Sequence, residues 1–139
     1  MPVILGSVLI TKTVTIKNVV NLITIESLVK WQICRIIGGF FLVGAAFGTV
    51  SVPFAIVSGF GDIAVGIAAY FANKRIQKYP SQSLTIAKKH AWFGMADFAL
   101  AVAVALITQA KIDFPYGLIP LFLVPIAILG HVATFVRKL

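Results

Sequence analysis

The chain has 139 residues, 60% of them hydrophobic and only 12% charged, with a mean hydropathy of +1.02 and a formal net charge of +8. Soluble domains are about 45–50% apolar and about 25% charged, so a soluble globular fold is excluded and one integral membrane domain is expected. The positive charge falls between apolar stretches, where orientation signals and lipid headgroup contacts belong, and not in an aromatic-laced basic stripe that would read nucleic acid.

Residues 1–28 differ from the rest. Residues 3–10 are apolar but too short to span a bilayer. Residues 11–25 alternate polar and apolar side chains, are rich in Thr, Val and Ile, and include Lys12 and Lys17, a strand-like pattern. This segment is expected to lie at the membrane surface or to be a poorly ordered start, with an interfacial helix as the alternative. No cationic region precedes its apolar stretch and no clean small-residue cleavage site follows, so a cleaved signal peptide is not expected.

Four spanning helices are predicted over residues 29–48, 53–73, 90–109 and 118–135. Ser27 is the expected N-cap of the first, and Trp31 sits where an aromatic belt belongs. The uncharged linker at 49–52 makes the first two helices an antiparallel hairpin. Residues 74–89, with Lys74, Arg75, Lys78, Lys88, Lys89 and the helix-breaking Pro80, read as the middle loop. Residues 110–117 form the next loop, and Arg137 and Lys138 follow the fourth helix. Of the 12 Lys and Arg, only Lys111 falls in the two loops of the opposite end. The positive-inside rule therefore places both termini and the middle loop in the cytoplasm, as an even number of spans requires. Cys34, the single cysteine, excludes an intramolecular disulfide and a cysteine-based zinc site and reads as a small buried side chain.

Small residues mark the expected packing faces, because helices in lipid associate through close approach and interhelical hydrogen bonds. Gly44 and Gly48 make a GxxxG spacing in the first helix. Steps of three and four from Asp62 give Ser58, Gly59, Gly66, Ala69 and Asn73. From Asp97 they give His90, Gly94, Ala101, Ala105 and Thr108, from His131 Ala127 and Thr134, and from Arg35 Gln32, Gly39, Leu42 and Ala46. Each helix thus carries at least one ionisable residue on its least lipophilic face, and these faces should turn inward, since a charge at the bilayer centre costs at least about 2.5–3.5 kcal/mol.

Depth decides which of them meet. With Lys30, Lys89 and Arg137 at the edge and about 1.5 Å of rise per residue, Arg35 lies roughly 8 Å deep, Asp97 roughly 12 Å and His131 roughly 9 Å. Asp62, counted from Lys74, lies roughly 18 Å deep, past the midplane. Arg35, Asp97 and His131 are expected in one layer, with Asp62 beyond easy reach. Two readings follow: an Arg35–Asp97 ion pair with His131 hydrogen-bonded beside it, fixing helix register, or a polar pocket open to the cytoplasm that binds a proton, an ion or a small polar ligand. Gly59 and Gly61 beside Asp62 point to a kink or break, with Asp62 capping the inner half-helix or freed amides binding an anion. Pro120 and Pro125 should bend the fourth helix. Haem held by His90 and His131 is disfavoured by their unequal depths, and no cofactor or metal is expected. No esterase-type serine motif, zinc-protease motif or phosphate-binding glycine loop is present.

The order and spacing of several pieces resemble a family of small, uncharacterised prokaryotic multi-pass membrane proteins. These are Arg35-x-x-Gly38 with Phe41-Leu42, Pro53-Phe54-Ala55, Gly59-x-Gly61-Asp62 with Gly66, Gly94-x-x-Asp97 with Ala101-Val102, and Pro120-x-x-x-x-Pro125 with His131. The resemblance covers residues 31–135. It departs at Val57, where such proteins often have proline, and at Trp92-Phe93, where they often have Trp-Asn. It implies a membrane bundle of the prokaryotic cytoplasmic membrane with Arg35, Asp62, Asp97 and His131 at marked positions, and no established activity. The expected function is a non-catalytic subunit or self-associating bundle, with a protein partner or a second copy in the bilayer. A small transporter, channel or ligand-binding protein using the four ionisable residues is the alternative, and a haem-binding or other membrane enzyme subunit is a third.

Overall fold

The computed structural model describes Asn18 and residues 20–137. Most of the expected strand-like or interfacial segment therefore lies outside the described residues. The protein is all-α, and among the described residues four helices are long and apolar enough to cross a membrane: α1 (Ile25–Ala46), α2 (Val52–Lys78), α3 (Ser83–Thr108) and α4 (Ile119–Val136). Helix α2 packs between α1 and α3, and α4 closes the bundle against α3 and α1.

Helix α1 starts earlier than expected, and its cap is Thr24 rather than Ser27. The Thr24 Oγ1 accepts from the Ser27 amide at 3.1 Å. The middle of α1, Gln32–Gly39, winds as a 3₁₀ helix. Its sequence carries three β-branched isoleucines and ends in two glycines, residues that hold α-helical geometry weakly. A 3₁₀ helix repeats every three residues and eclipses i with i+3. The buried face of α1 is accordingly Val29, Gln32, Arg35, Gly38, Phe41 and Gly44. The steps of three and four from Arg35 assumed an α-helix throughout and so selected Gly39, Leu42 and Ala46, of which none is buried.

Helix α2 is continuous from Val52 to Lys78, which overturns the expected break at Gly59–Asp62 and the capping role of Asp62. The glycines there serve close approach instead. Pro53 lies in the first turn, where its missing N–H costs nothing, and Pro80 follows the C-cap Tyr79. The middle loop shrinks to Tyr79 and the 3₁₀ turn Pro80–Gln82, because the basic residues assigned to it lie on the last turns of α2 and the first turns of α3. Helix α4 opens with a π-helical turn, Ile119–Leu123, where the Val124 amide donates to the Ile119 carbonyl. This places the irregularity of α4 around Pro120, just ahead of Pro125.

The ends opposite the α2–α3 turn are tied together. Gly48, at φ +71°, reverses the chain after α1. Val50 and Ile112 form an antiparallel bridge, the Ser51 amide donates to the Lys111 carbonyl at 2.8 Å and the Asp113 amide to the Thr49 carbonyl at 2.9 Å. The Ser51 hydroxyl accepts from the Lys111 amide at 2.7 Å. Beneath this bridge lies an apolar layer of Phe41, Val50, Phe54, Ala55 and Ala101, with Ala105 partly buried against it. Phe41 and Phe54 meet edge to face at 5.2 Å. A second apolar layer, Val29, Ala69, Ala72, Ile76 and Ala87, fills the basic end.

Candidate functional site

Between the two apolar layers sits a polar one. The 3₁₀ repeat of α1 aims Arg35 inward, where its side chain is 3% exposed. Its Nε donates to Asp62 Oδ1 at 2.8 Å and its Nη2 to the same oxygen at 2.5 Å. The same Nη2 donates to Asp97 Oδ2 at 2.5 Å, and Nη1 to the Gly94 carbonyl at 3.3 Å. The Phe98 ring lies against the guanidinium, 3.8 Å from centroid to Cζ, in cation–π contact. One guanidinium thus joins α1, α2 and α3 through charge-assisted bonds, the strong kind.

Asp62 is therefore a full partner of Arg35, against the expectation that it lay too deep. The depth count failed at its reference points. Lys74 and Lys89 are not at the helix ends: α2 runs to Lys78 and α3 begins at Ser83. Counted from there, Asp62 and Asp97 lie at nearly the same level, differing by about one turn's half-height, roughly 3 Å.

Glycines bring the helices close enough for these bonds. A Cβ on Gly38 would collide with the Asp62 carboxylate, one on Gly61 with the Asp97 carboxylate, and one on Gly94 with the His131 ring and then the Arg35 guanidinium. Gly59 admits Leu42, Gly66 admits Ile36 and the α1 backbone, and Gly44 admits Val50 and Tyr116. Gly48 departs from this role: α1 ends at Ala46, and a Cβ at Gly48 would meet nothing within 4 Å. Its requirement is the left-handed backbone, and the GxxxG spacing is not a helix-packing motif here.

His131 is 1% exposed. It is not hydrogen-bonded to the ion pair as expected, since its Nε2 has no partner among the described residues. Its ring packs at 5.8 Å from His90 and 6.1 Å from Phe98. The two histidines therefore lie side by side, contrary to the unequal depths inferred from their positions. The His90 Nε2 donates to the Val65 carbonyl at 3.2 Å. No group of three His, Cys, Asp or Glu side chains able to hold a metal occurs among the described residues.

The space beside the Arg35–Asp62–Asp97 triad is a cavity of about 20 Å³, lined by Cys34, Arg35, Gly38, Asp62, Phe98 and the start of α4. That admits about one water-sized sphere, not the polar pocket expected to open to the cytoplasm. Cys34 is half-buried at its edge rather than fully buried. The roomier space lies elsewhere, in a groove of about 640 Å³ between α2 and α3 at the basic end.

The chain belongs to the family described as Domain of unknown function (DUF8737). The family model matches residues 2–139, so membership extends over the whole bundle and both of its ends. No curated protein and no solved structure matches the chain.

Sequence reasoning missed Phe98 and the Gly94 carbonyl as partners of Arg35; it placed Gln32 on the inward face, where the Gln32 Nε2 donates to the Ala127 carbonyl of α4 at 3.1 Å. A step of four from Gly94 reaches Phe98, so the face pattern held the signal for that residue. No pattern marks a backbone carbonyl as an acceptor.

Proposed function

We propose that this chain is a multi-pass membrane protein acting as a non-catalytic subunit of a larger membrane assembly, with the α2–α3 turn and both termini in the cytoplasm. One observation carries the reading: Arg35, Asp62 and Asp97 bond to one another within the bundle, around a cavity of about 20 Å³, so they lock helices and leave no room for a solute. Ion networks that fix register are the best-attested use of buried charge. The outer surface is broadly apolar, with Trp92, Leu106, Ile107 and Phe114 each more than two-thirds exposed, which suits lipid or a partner helix. The orientation rests on the basic end, where Lys30, Lys74, Arg75, Lys78, Lys88 and Lys89 gather. The test is a native mass spectrum after gentle extraction from the protein's own membrane. A constant complex heavier than the chain is expected, and a monomer retaining a small molecule overturns the reading.

A second reading has its own support. The triad sets two carboxylates against one guanidinium, and an uncompensated charge at that depth is costly. One proton balances it, and Asp62, Asp97, His131 and the neighbouring His90 are the groups able to hold it. Infrared spectra of the reconstituted protein test this reading. A carboxylic-acid carbonyl band that disappears in either Asp62→Asn or Asp97→Asn supports a proton-binding site, and its absence from the unaltered protein places the proton off the carboxylates.

A further inference from the structure

The groove between α2 and α3 is not lined by Arg35, Asp62, Asp97 or His131, and it touches the polar layer through His90 on its inner side. Its upper wall is polar and basic: Arg75 from α2, Tyr79 and Gln82 from the turn, and Thr85 and Lys89 from α3. Its lower wall is apolar, with Ala68, Phe71 and Phe93. No acidic residue lines it. The described carboxylate at this end, Glu26, accepts instead from Gln77 at 2.7 Å on another face. Arg75 and Lys89 thus point two exposed cations at one opening without a described counter-ion. From Tyr79 at the top to Ala68 at the bottom the groove descends along about 16 Å of chain at helical rise, about half the thickness of a hydrocarbon core. Phe71 and Phe93 flank its mouth towards the lipid, 61% and 48% exposed.

We infer that this groove binds one anionic phospholipid, its phosphate between Arg75 and Lys89 and an acyl chain along Ala68, Phe71 and Phe93. The inference rests on the membrane reading above and is independent of the subunit assignment. Charge selects the headgroup, since basic sites between spanning helices draw anionic lipid. Hydroxyl and amide side chains at Tyr79, Gln82 and Thr85 supply donors for the remaining phosphate and glycerol oxygens. The apolar depth distinguishes a lipid from a free anion, because inorganic phosphate would leave the lower wall empty.

The test uses the full chain in a neutral detergent, titrated separately with phosphatidylglycerol and phosphatidylcholine and read as bound-lipid mass by native mass spectrometry. One phosphatidylglycerol is expected to be retained in preference to phosphatidylcholine. Arg75→Gln with Lys89→Gln should weaken it about thirtyfold, the loss of two cation contacts near a surface. Lys74→Gln, outside the groove, should leave it unchanged. Ala68→Trp, which fills the deep end, should weaken phosphatidylglycerol while the helical circular dichroism stays intact. Equal retention of the two lipids, an equal loss in Lys74→Gln, or displacement by inorganic phosphate at the same concentration overturns the proposal. Extraction of the protein from vesicles by alkaline carbonate is the separate control, and its release there is a failure of the membrane reading rather than of the site.

Discussion

The polar layer at mid-bundle and the apolar layer under the loop bridge hold the same helices by different physics. Around Phe41, Phe54 and Ala101 the contacts are dispersion and shape, and in a bilayer they have little hydrophobic advantage, since lipid tails are as apolar as the side chains they replace. Around Arg35 the bonds are directional and charged, and the alternative to making them is an unpaired ion in hydrocarbon. The apolar layer therefore tolerates several helix registers, whereas the polar layer permits one, because a single Nη2 must reach Asp62 and Asp97 together.

The sharpest way to break this contrast is Arg35→Leu. It leaves two buried carboxylates facing one another and is expected to remove about 3–5 kcal/mol of stability, read as unfolding in a mixed-micelle titration with SDS. Adding Asp62→Asn and Asp97→Asn to that variant should recover part of the loss, because the uncompensated charge goes with them. Gly94→Ala pushes a methyl into His131 and the guanidinium and should cost about 1–3 kcal/mol, the usual toll of overpacking, measured by the same titration. Phe41→Ala should fall below the roughly 3–5 kcal/mol of a soluble core, since only packing and not transfer from water is lost. An equal loss for Phe41→Ala and Arg35→Leu would erase the distinction between the layers. Gly48→Ala should cost about 1–2 kcal/mol through its left-handed backbone alone. Lys111→Ala, which removes an exposed pair with Asp113 at 3.0 Å, should change stability by less than about 1 kcal/mol.

Hydropathy made the four apolar helices legible, and the stepping of small residues picked out Gly59, Gly66, Gly94 and Ala101, all buried in the bundle. Composition failed at helix ends. Lys74, Arg75, Lys88 and Lys89 look like loop residues, yet long cationic side chains on a helix reach back to the interface, so the helices continue past them and the depth scale shifts. The period of α1 was also hidden. Gln32, Arg35, Gly38 and Phe41 repeat every three residues, which reads as noise against a 3.6-residue template and as one face once the backbone tightens to 3₁₀. The bridge between the two far loops left no trace, because it is made by backbone groups that every sequence possesses.

That bridge carries a consequence for how the chain is made. The bonds between Ser51 and Lys111 join positions 60 residues apart, with all of α2 and α3 between them. If the helices enter the bilayer in order, residues 49–51 arrive on the far side early and wait until α3 has crossed before their partners appear. Closure of the bridge then coincides with the arrival of the third helix at full depth, which is also the moment Asp97 comes level with Arg35. Synthesis order and final register are thus fastened by the same event.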